Sequence, residues 1–352
     1  MRPSVLTCAS RASRHLPPTF RPVERSRATF NGHISERMGL LSEFRDPTKW
    51  YTKLFIVAVA LCFFTMLATA AISGYLVYRM MSPAQSHTDI DLKTFPGRPE
   101  VLSYTVPGEG PRDGWFFPGL KSAPAVILCP AYQSSRGELL TLASALQDHQ
   151  YNVLLFDFSA QGANGGHTTL GFREVAELRA AMDAAANRGD VDPNRFGLWG
   201  VNLGAYAALS EASGDRRVRA LAVESPYDRP EQMVGLLVIR SGLGTLPFVA
   251  PMARWGFGWV NYRYRKVPPL RVNLGRLTGV GQLYLQSPDD PALGAYTAEL
   301  FHASPTPHEL AALPHGNYAG MLDDEKREYE NRIVSFFLTY LPPAGEPAPL
   351  AQ

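Results

Sequence analysis

The sequence predicts a doubly wound, mostly parallel α/β sheet, preceded by one membrane-spanning helix. Short, continuously apolar runs alternate with segments whose apolar residues have helical spacing, as expected for strands buried on both faces and the helices that cover them. A glycine-framed turn, Gly200–Gly204, follows the apolar run 195–199 and has the form of a strand turning sharply into a helix. These features favour an α/β domain over an all-helical or all-β one.

Composition limits the classes of protein that the chain can belong to. Its 352 residues, 45% of them hydrophobic, can bury one large core or two small ones. A net charge of +2 gives no support for nucleic-acid binding. We expect no metal and no cofactor, because no histidine pair or His/Glu cluster has ligand spacing. Oligomeric state cannot be read from the sequence.

Residues 1–53 are predicted to be a basic N-terminal tail. The first 37 residues contain seven arginines and two glutamates without a sustained apolar period, which is typical of a disordered segment. A transit peptide is one alternative. Another is that Met38 is the true start and the preceding residues are an upstream extension.

Residues 54–78 are predicted to cross a membrane. These 25 residues carry no charge, and at about 1.5 Å per residue they exceed the ~30 Å of a bilayer core. A signal peptide cleaved near Ala68-Thr69-Ala70 is the rival interpretation. Four basic residues precede the span and two follow it, which predicts a cytoplasmic N-terminus and an extracytoplasmic C-terminal domain.

The α/β domain is predicted to span residues 100–342, after a linker at 79–99 and before a Pro-rich tail at 343–352. Eight strands are expected, the first two as an antiparallel pair: 101–106, 115–117, 123–130, 151–158, 196–201, 221–224, 282–286 and 309–313. Helices are expected at 137–150, 171–188, 203–213 and 323–340.

Residues 229–276 interrupt this alternation and are predicted to be a helical insertion, provisionally a lid. They contain eight basic residues, one acidic residue and six prominent aromatic residues: Phe248, Trp255, Phe257, Trp259, Tyr262 and Tyr264. Three interpretations stay open: helices that pack their aromatic rings on the sheet, a lid over an acyl, lipid or peptide ligand, and a surface resting on the membrane.

Several segments together resemble the α/β-hydrolase superfamily, and in particular its membrane-associated esterase and serine-aminopeptidase types. Residues 127–136 match the strand and loop that usually read His-Gly before a small turn. Residues 157–166 match the Asp-x-Arg-Gly-x-Gly-x-Ser-Gly-Gly loop, and residues 169–174 open the following helix in the family manner. The resemblance covers roughly residues 100–342 and implies an α/β-hydrolase fold.

The resemblance also assigns site residues. It places the nucleophile at the tip of the turn, here Asn202, the acid at Asp290 with Asp289 as the near alternative, and the histidine at His315. The backbone N–H groups of Leu203 and of a residue in 131–133, here taken as Tyr132, would be the oxyanion donors.

Asn202 departs from the family chemistry. Its carboxamide is a poor nucleophile, although asparagine tolerates the positive φ that such a turn requires. The family's His-Gly is replaced by Pro130-Ala131. Four serines are alternative nucleophiles, although each is better explained as a turn residue: Ser134, Ser135, Ser159 and Ser225.

Three functional hypotheses follow. The first is a membrane-anchored pseudohydrolase that binds a ligand without acyl-enzyme turnover. The second is an active hydrolase of an ester, thioester or peptide bond, in which His315 and Asp290 activate water. The third is a scaffold that docks on a membrane or a protein through residues 229–276.

Overall fold

The computed structural model describes residues 50–84, 95, 97–316 and 318–344. The predicted basic tail up to residue 49, including Met38, most of the linker and most of the Pro-rich tail lie outside the described residues. Eight strands form one sheet in the order β1-β2-β4-β3-β5-β6-β7-β8. Their bounds are β1 Glu100–Val106, β2 Gly110–Phe117, β3 Ala123–Cys129, β4 Asn152–Phe156, β5 Val191–Val201, β6 Val218–Glu224, β7 Gly281–Gln286 and β8 His308–Ala312.

The sheet is mixed at one edge and parallel elsewhere, which confirms the predicted fold class. β1 pairs with β2 and β2 with β4 in antiparallel register, and the remaining neighbours are parallel. Every residue of β3 and of β4 is buried, because helices cover both faces of the sheet. β2, β5 and β6 extend beyond their predicted bounds at their polar ends, where an apolar pattern gives no signal.

Nine α-helices occur among the described residues. They are α1 Trp50–Met81, α2 Leu140–Asp148, α3 Glu174–Ala186, α4 Leu203–Ala212, α5 Pro230–Arg240, α6 Val249–Val260, α7 Leu270–Asn273, α8 Pro291–Ala303 and α9 Asp323–Tyr340. Sequence analysis did not identify α8, although Asp290 followed by Pro291 is a typical helix start: Asp290 caps the helix by accepting the Leu293 N–H at 3.0 Å.

Helix α1 is long and apolar enough to cross a membrane, judged by length and composition alone. It extends the predicted span by four residues at its start and three at its end. The chain divides into two units within this helix, after Thr65. In the first unit, apolar side chains of residues 54–64 are largely exposed. In the second unit, Met66 and Leu67 are exposed, whereas Leu76, Val77, Met80 and Met81 are buried in the core.

The predicted insertion consists of α5, α6, α7 and short 3-10 turns between β6 and β7. Of its six prominent aromatic residues, Phe257 is buried and the Tyr264 ring stacks on Phe172 at a centroid distance of 5.1 Å. Phe248, Trp255, Trp259 and Tyr262 are exposed. The interpretation in which all these rings pack on the sheet therefore fails for four of the six.

Candidate functional site

The loops that follow β3, β5, β7 and β8 meet at the carboxyl edge of the sheet, because parallel strands end at a common edge. They carry Tyr132, Asn202, Asp289 with Asp290, and His315 respectively. The fold thus brings the sequence-predicted site residues to one edge.

Asn202 occupies the tip of a turn whose close packing explains both flanking glycines. Its φ is 38° and its ψ is −93°, and asparagine tolerates positive φ better than most residues. A Cβ on Gly200 would lie 2.5 Å from the Gly204 carbonyl carbon, and a Cβ on Gly204 would lie 2.2 Å from the Cys129 carbonyl oxygen. Only glycine therefore allows α4 to begin directly against β3.

The side-chain oxygen of Asn202 lies where two backbone donors converge. Asn202 Oδ1 accepts the Leu203 N–H at 2.5 Å and the Tyr132 N–H at 2.8 Å. These are the two N–H groups that the resemblance assigns as oxyanion donors, and both donate to the carboxamide at the tip of the turn. The Leu203 N–H lies at the N-terminus of α4, which favours partial negative charge on the acceptor.

Tyr132 is held from two directions. Its phenol donates to the Met80 carbonyl oxygen at the end of α1 at 2.9 Å. The preceding carbonyl, that of Ala131, accepts the Gln161 side-chain amide at 2.7 Å. Burial raises the pKa of the Tyr132 phenol to about 12, so this side chain stays a neutral donor. The last turn of α1 is therefore linked to the loop that supplies one of the two donors.

The acidic residue beside His315 is Asp289, the alternative that sequence analysis left open. Asp289 Oδ1 lies 3.5 Å from His315 Nδ1, and Asp289 Oδ2 accepts the Gly316 N–H at 2.7 Å. The Gly316 N–H, and with it His315, holds the pKa of Asp289 below its usual value. Asp290 is instead the N-cap of α8 and pairs with Arg240.

A cavity of about 590 Å³ opens at Asn202. Four carboxylates and one guanidinium line it, so its charge is net negative: Glu138, Glu224, Asp289, Asp290 and Arg240. Of the described residues after β8, Gly316, Ala319 and Gly320 line the cavity and His315 does not. The His315 side chain is 68% exposed and its ring lies outside the space that Asn202 faces.

Sequence analysis missed two of these acidic groups. Glu224 is the last residue of β6, is fully buried and accepts the Tyr329 hydroxyl at 2.9 Å. Glu138 follows β3 and accepts the Ser134 hydroxyl at 2.6 Å. A charged residue that ends an apolar strand was the available signal for Glu224, since such a residue is rarely buried without a role or a partner.

The alternative serines are engaged locally or lie beside the cavity. Ser134 and Ser225 line it, and the Ser134 hydroxyl is bound to Glu138. The Ser159 hydroxyl donates to Glu109 at 3.0 Å, and its backbone N–H donates to Glu177 at 2.7 Å. Ser159 therefore belongs to a buried polar network beneath the loop rather than to the cavity.

The insertion contributes only Arg240 to the described lining of this cavity. No other residue of the insertion is part of that lining. No group of three or more His, Cys, Asp or Glu side chains could hold a metal ion within the part of the chain that the structure describes.

Comparison with known proteins gives partial sequence matches. No family model matches the chain. An uncharacterized protein of Mycobacterium tuberculosis is 37% identical over 117 residues, which are 32% of this chain and 41% of that protein. A polyketide transferase of a Penicillium species is 30% identical over 117 residues, 32% of this chain and 40% of the transferase. The chain thus aligns with about two fifths of the length of these relatives.

A solved structure is similar over a longer part of the chain than these two 117-residue matches. The esterase Pf2001 of Pyrococcus furiosus has a TM-score of 0.57 at 20% identity and covers 74% of this chain and 99% of its own. At that identity, the likeness shows a shared fold.

Proposed function

We propose, since this chain has the fold of the α/β-hydrolase superfamily, that it is a membrane-anchored descendant of ester hydrolases that no longer forms an acyl-enzyme. In this proposal the cavity at Asn202 binds a ligand without covalent turnover. Esterases share its fold, which supports the ancestry.

The hydrogen bonding of Asn202 carries the proposal. Its Oδ1 accepts both the Leu203 and the Tyr132 N–H groups, which a reacting carbonyl oxygen would need in the transition state. A carboxamide also has no hydroxyl proton for His315 to remove. The same side chain therefore removes the nucleophile and occupies the site of charge stabilisation.

A fluorophosphonate probe tests this proposal on the full chain in detergent. We expect no labelling of the wild-type protein and no hydrolysis of short or long acyl esters above the His315→Ala background. Covalent labelling of the wild type that disappears in His315→Ala would overturn the proposal.

The Asn202→Ser variant is the informative companion. Serine would supply an oxygen nucleophile and leave the Leu203 and Tyr132 N–H groups free. Labelling of this variant, lost again on adding His315→Ala, would indicate that the loss of reactivity resides at residue 202.

The charge of the cavity favours a ligand without negative charge. Four carboxylates face one arginine there, and like charges in a partly enclosed space repel more strongly than in water. A neutral acyl compound or a peptide amine fits this surface better than a fatty-acid carboxylate. Calorimetric titration with a fatty acid and with its uncharged amide would distinguish them, and tighter binding of the acid would count against this assignment.

One observation favours a second candidate function, hydrolysis by activated water. His315 remains paired with Asp289 at 3.5 Å, an arrangement that could orient an imidazole base. Ester, thioester and peptide-amide turnover by the wild type, abolished in an Asp289→Ala/His315→Ala variant but without fluorophosphonate labelling, would select this function over pure binding.

The anchor is part of the same proposal. Its apolar composition supports insertion, and the bias of basic residues supports a cytoplasmic N-terminus with an extracytoplasmic domain. Protease added outside sealed vesicles of known orientation should reach the domain only on the extracytoplasmic side. Protection on that side would reverse the proposed orientation.

A further inference from the structure

One face of α6 and its flanking turns is aromatic and exposed. Trp255 and Trp259 are 73% and 71% exposed, and Phe248 is 71% exposed. The four-residue spacing places Trp255 and Trp259 on one side of the helix, and Phe248 is the residue at its N-terminal cap. The opposite side, Val249, Ala253 and Phe257, is buried. We call Phe248, Trp255, Trp259 and Tyr262 the aromatic face.

Cationic side chains adjoin the aromatic face. The Arg265 guanidinium lies 4.8 Å from the centre of the Tyr262 ring, and the Arg263 guanidinium lies 4.7 Å from that of Tyr264. Lys266 follows and is exposed. Exposed indoles beside arginine and lysine are typical of surfaces that lie at a membrane interface, where the rings enter the headgroup region and the cations meet anionic lipid.

The start of α6 is joined to α1. The Ser73 hydroxyl donates to the Val249 carbonyl oxygen at 3.3 Å. Gly256 of α6 also lies next to Val77 of α1, since a Cβ on the glycine would be in ordinary contact with Val77 Cγ2 at 3.9 Å. About two turns before Ser73 in α1, Met66 and Leu67 are exposed. The aromatic face therefore adjoins the point at which α1 leaves the core and becomes an exposed apolar surface.

This continuity decides between a lipid and a protein as the occupant. A protein partner would need an exposed patch of this kind, but it would not require the patch to begin beside the docked turns of an apolar helix. If α1 lies in a bilayer, a lipid-contact surface is expected beside its docked turns, because the chain leaves the membrane there. The basic side chains also match anionic headgroups.

We propose that the aromatic face is a lipid-contact surface, which rests in the headgroup region of the membrane with Arg263, Arg265 and Lys266 on anionic lipid. The inference rests on the proposed membrane anchor, but it does not depend on the absence of catalysis. It assigns a role to the insertion that the cavity leaves unexplained.

Tryptophan quenching by brominated lipid tests the proposal on the full chain in phosphatidylcholine–phosphatidylglycerol vesicles. The chain has five tryptophans. Trp115 and Trp199 are buried, and Trp50 belongs to α1, so Trp50→Phe is introduced in every protein. We expect lipid brominated near the headgroup end of its acyl chains to quench this parent strongly. Adding Trp255→Phe and Trp259→Phe should abolish most of that quenching.

A separate variant tests how much the basic side chains contribute to lipid contact. In the Trp50→Phe parent, quenching should increase with the anionic lipid fraction and decrease with salt. Changing Arg263, Arg265 and Lys266 to glutamine should remove that dependence while leaving quenching by neutral lipid. Thermal unfolding of each variant checks folding, and no loss is expected because all five altered side chains are exposed.

Two results would overturn the proposal. Equal bromolipid quenching with and without Trp255 and Trp259 would place both indoles away from lipid. Protection of these indoles from aqueous acrylamide without bromolipid quenching would show a protein cover, such as a second copy of the chain. A separate experiment tests whether α1 anchors the chain. If alkaline carbonate releases the wild-type chain from membranes, the proposed anchor is wrong.

Discussion

At the scale of single residues, Asn202 satisfies backbone N–H groups at its turn, and in the proposed function its carboxamide also takes the place of the nucleophile. Its φ of 38° needs a residue that tolerates positive φ. Its Oδ1 satisfies the Leu203 N–H at the start of α4 and the Tyr132 N–H of the loop after β3. Asp289 and His315 are paired, with Asp289 lining the cavity at Asn202 and the imidazole outside it. The proposed loss of acyl-enzyme chemistry therefore depends on the central side chain, because its Oδ1 accepts the two N–H groups that a substrate oxygen would need.

Glu177 is the single residue expected to make the stability of the fold depend most clearly on pH. Burial, with Glu174 and Glu109 nearby, raises its pKa to about 8. The folded protein therefore holds a proton that the unfolded chain releases between about pH 4.5 and about pH 8, and stability should decrease as pH rises through that window.

We expect Glu177→Gln to flatten this decrease, because the amide oxygen can still accept the Ser159 N–H without becoming charged. At pH 8.5 the free energy of unfolding of the variant should be higher than that of the wild type by on the order of 1 kcal/mol. Thermal unfolding midpoints of the detergent-solubilised full chain between pH 5.5 and 8.5 measure this difference. Glu299→Gln, at an exposed position of α8, is the matched control, and parallel wild-type and Glu177→Gln curves would contradict the prediction.

At the scale of elements, the junction of β3, β5 and α4 fixes the site. Gly200 and Gly204 let the first turn of α4 contact the backbone at Cys129, which brings the loop carrying Tyr132 to within hydrogen-bond distance of Asn202. The end of α1 contacts the same loop through Met80. The position of the Tyr132 N–H thus depends on three elements distant in sequence.

Gly204→Ala should disrupt this junction. The new Cβ would meet backbone oxygens of Cys129 and Pro130 at 2.2 and 2.8 Å, which cannot move aside as a flexible side chain would. We expect a loss of about 1–3 kcal/mol in the free energy of unfolding. The measurement is the thermal or urea unfolding midpoint.

Gly214→Ala is the control for that change, because its Cβ would lie 3.6 Å from the Glu211 oxygen in ordinary contact. Equal midpoints for the two alanine variants would show that β3 and α4 are less closely packed than described.

At the scale of the whole molecule, the sheet supports the cavity on one edge and α1 supplies the proposed anchor. The 32 residues of α1 exceed the ~20 that a bilayer requires. Its last nine residues, Ser73–Met81, include all four of its side chains in the hydrophobic core. The residues of α1 beyond those that a membrane span requires therefore pack on the α/β domain.

Charges in the exposed part of α1 should impair membrane insertion without affecting the core. Leu61 and Phe64 are 63% exposed each, and two arginines near the middle of a span cost about 5–7 kcal/mol on the insertion scale. We expect the wild type to stay in the membrane pellet after carbonate extraction and the Leu61→Arg/Phe64→Arg variant to be released or degraded. Leu61→Ala/Phe64→Ala should stay in the pellet, and retention of the arginine variant would contradict a spanning α1.

The sequence alone determined the fold class, the eight strands and the turn at Asn202, because these depend on local signals: apolar runs, helical spacing and paired glycines. It also selected Leu203 and Tyr132 as the donors that converge on one point, through the resemblance. Helix α8 was not predicted because its start was not recognised. The role of Asp290 as the N-cap of that helix was therefore not predicted either.

Only the tertiary structure decided which of two adjacent aspartates faces His315, since their positions differ by one residue and their partners, Gly316 and Leu293, come from different elements. It alone showed that Asn202 Oδ1 accepts both donors, that Glu224 faces the cavity and that Trp255 and Trp259 are exposed. The physical reason is the same in each case. Burial and hydrogen bonding between distant segments depend on how the elements pack, and no local pattern in the chain encodes that packing.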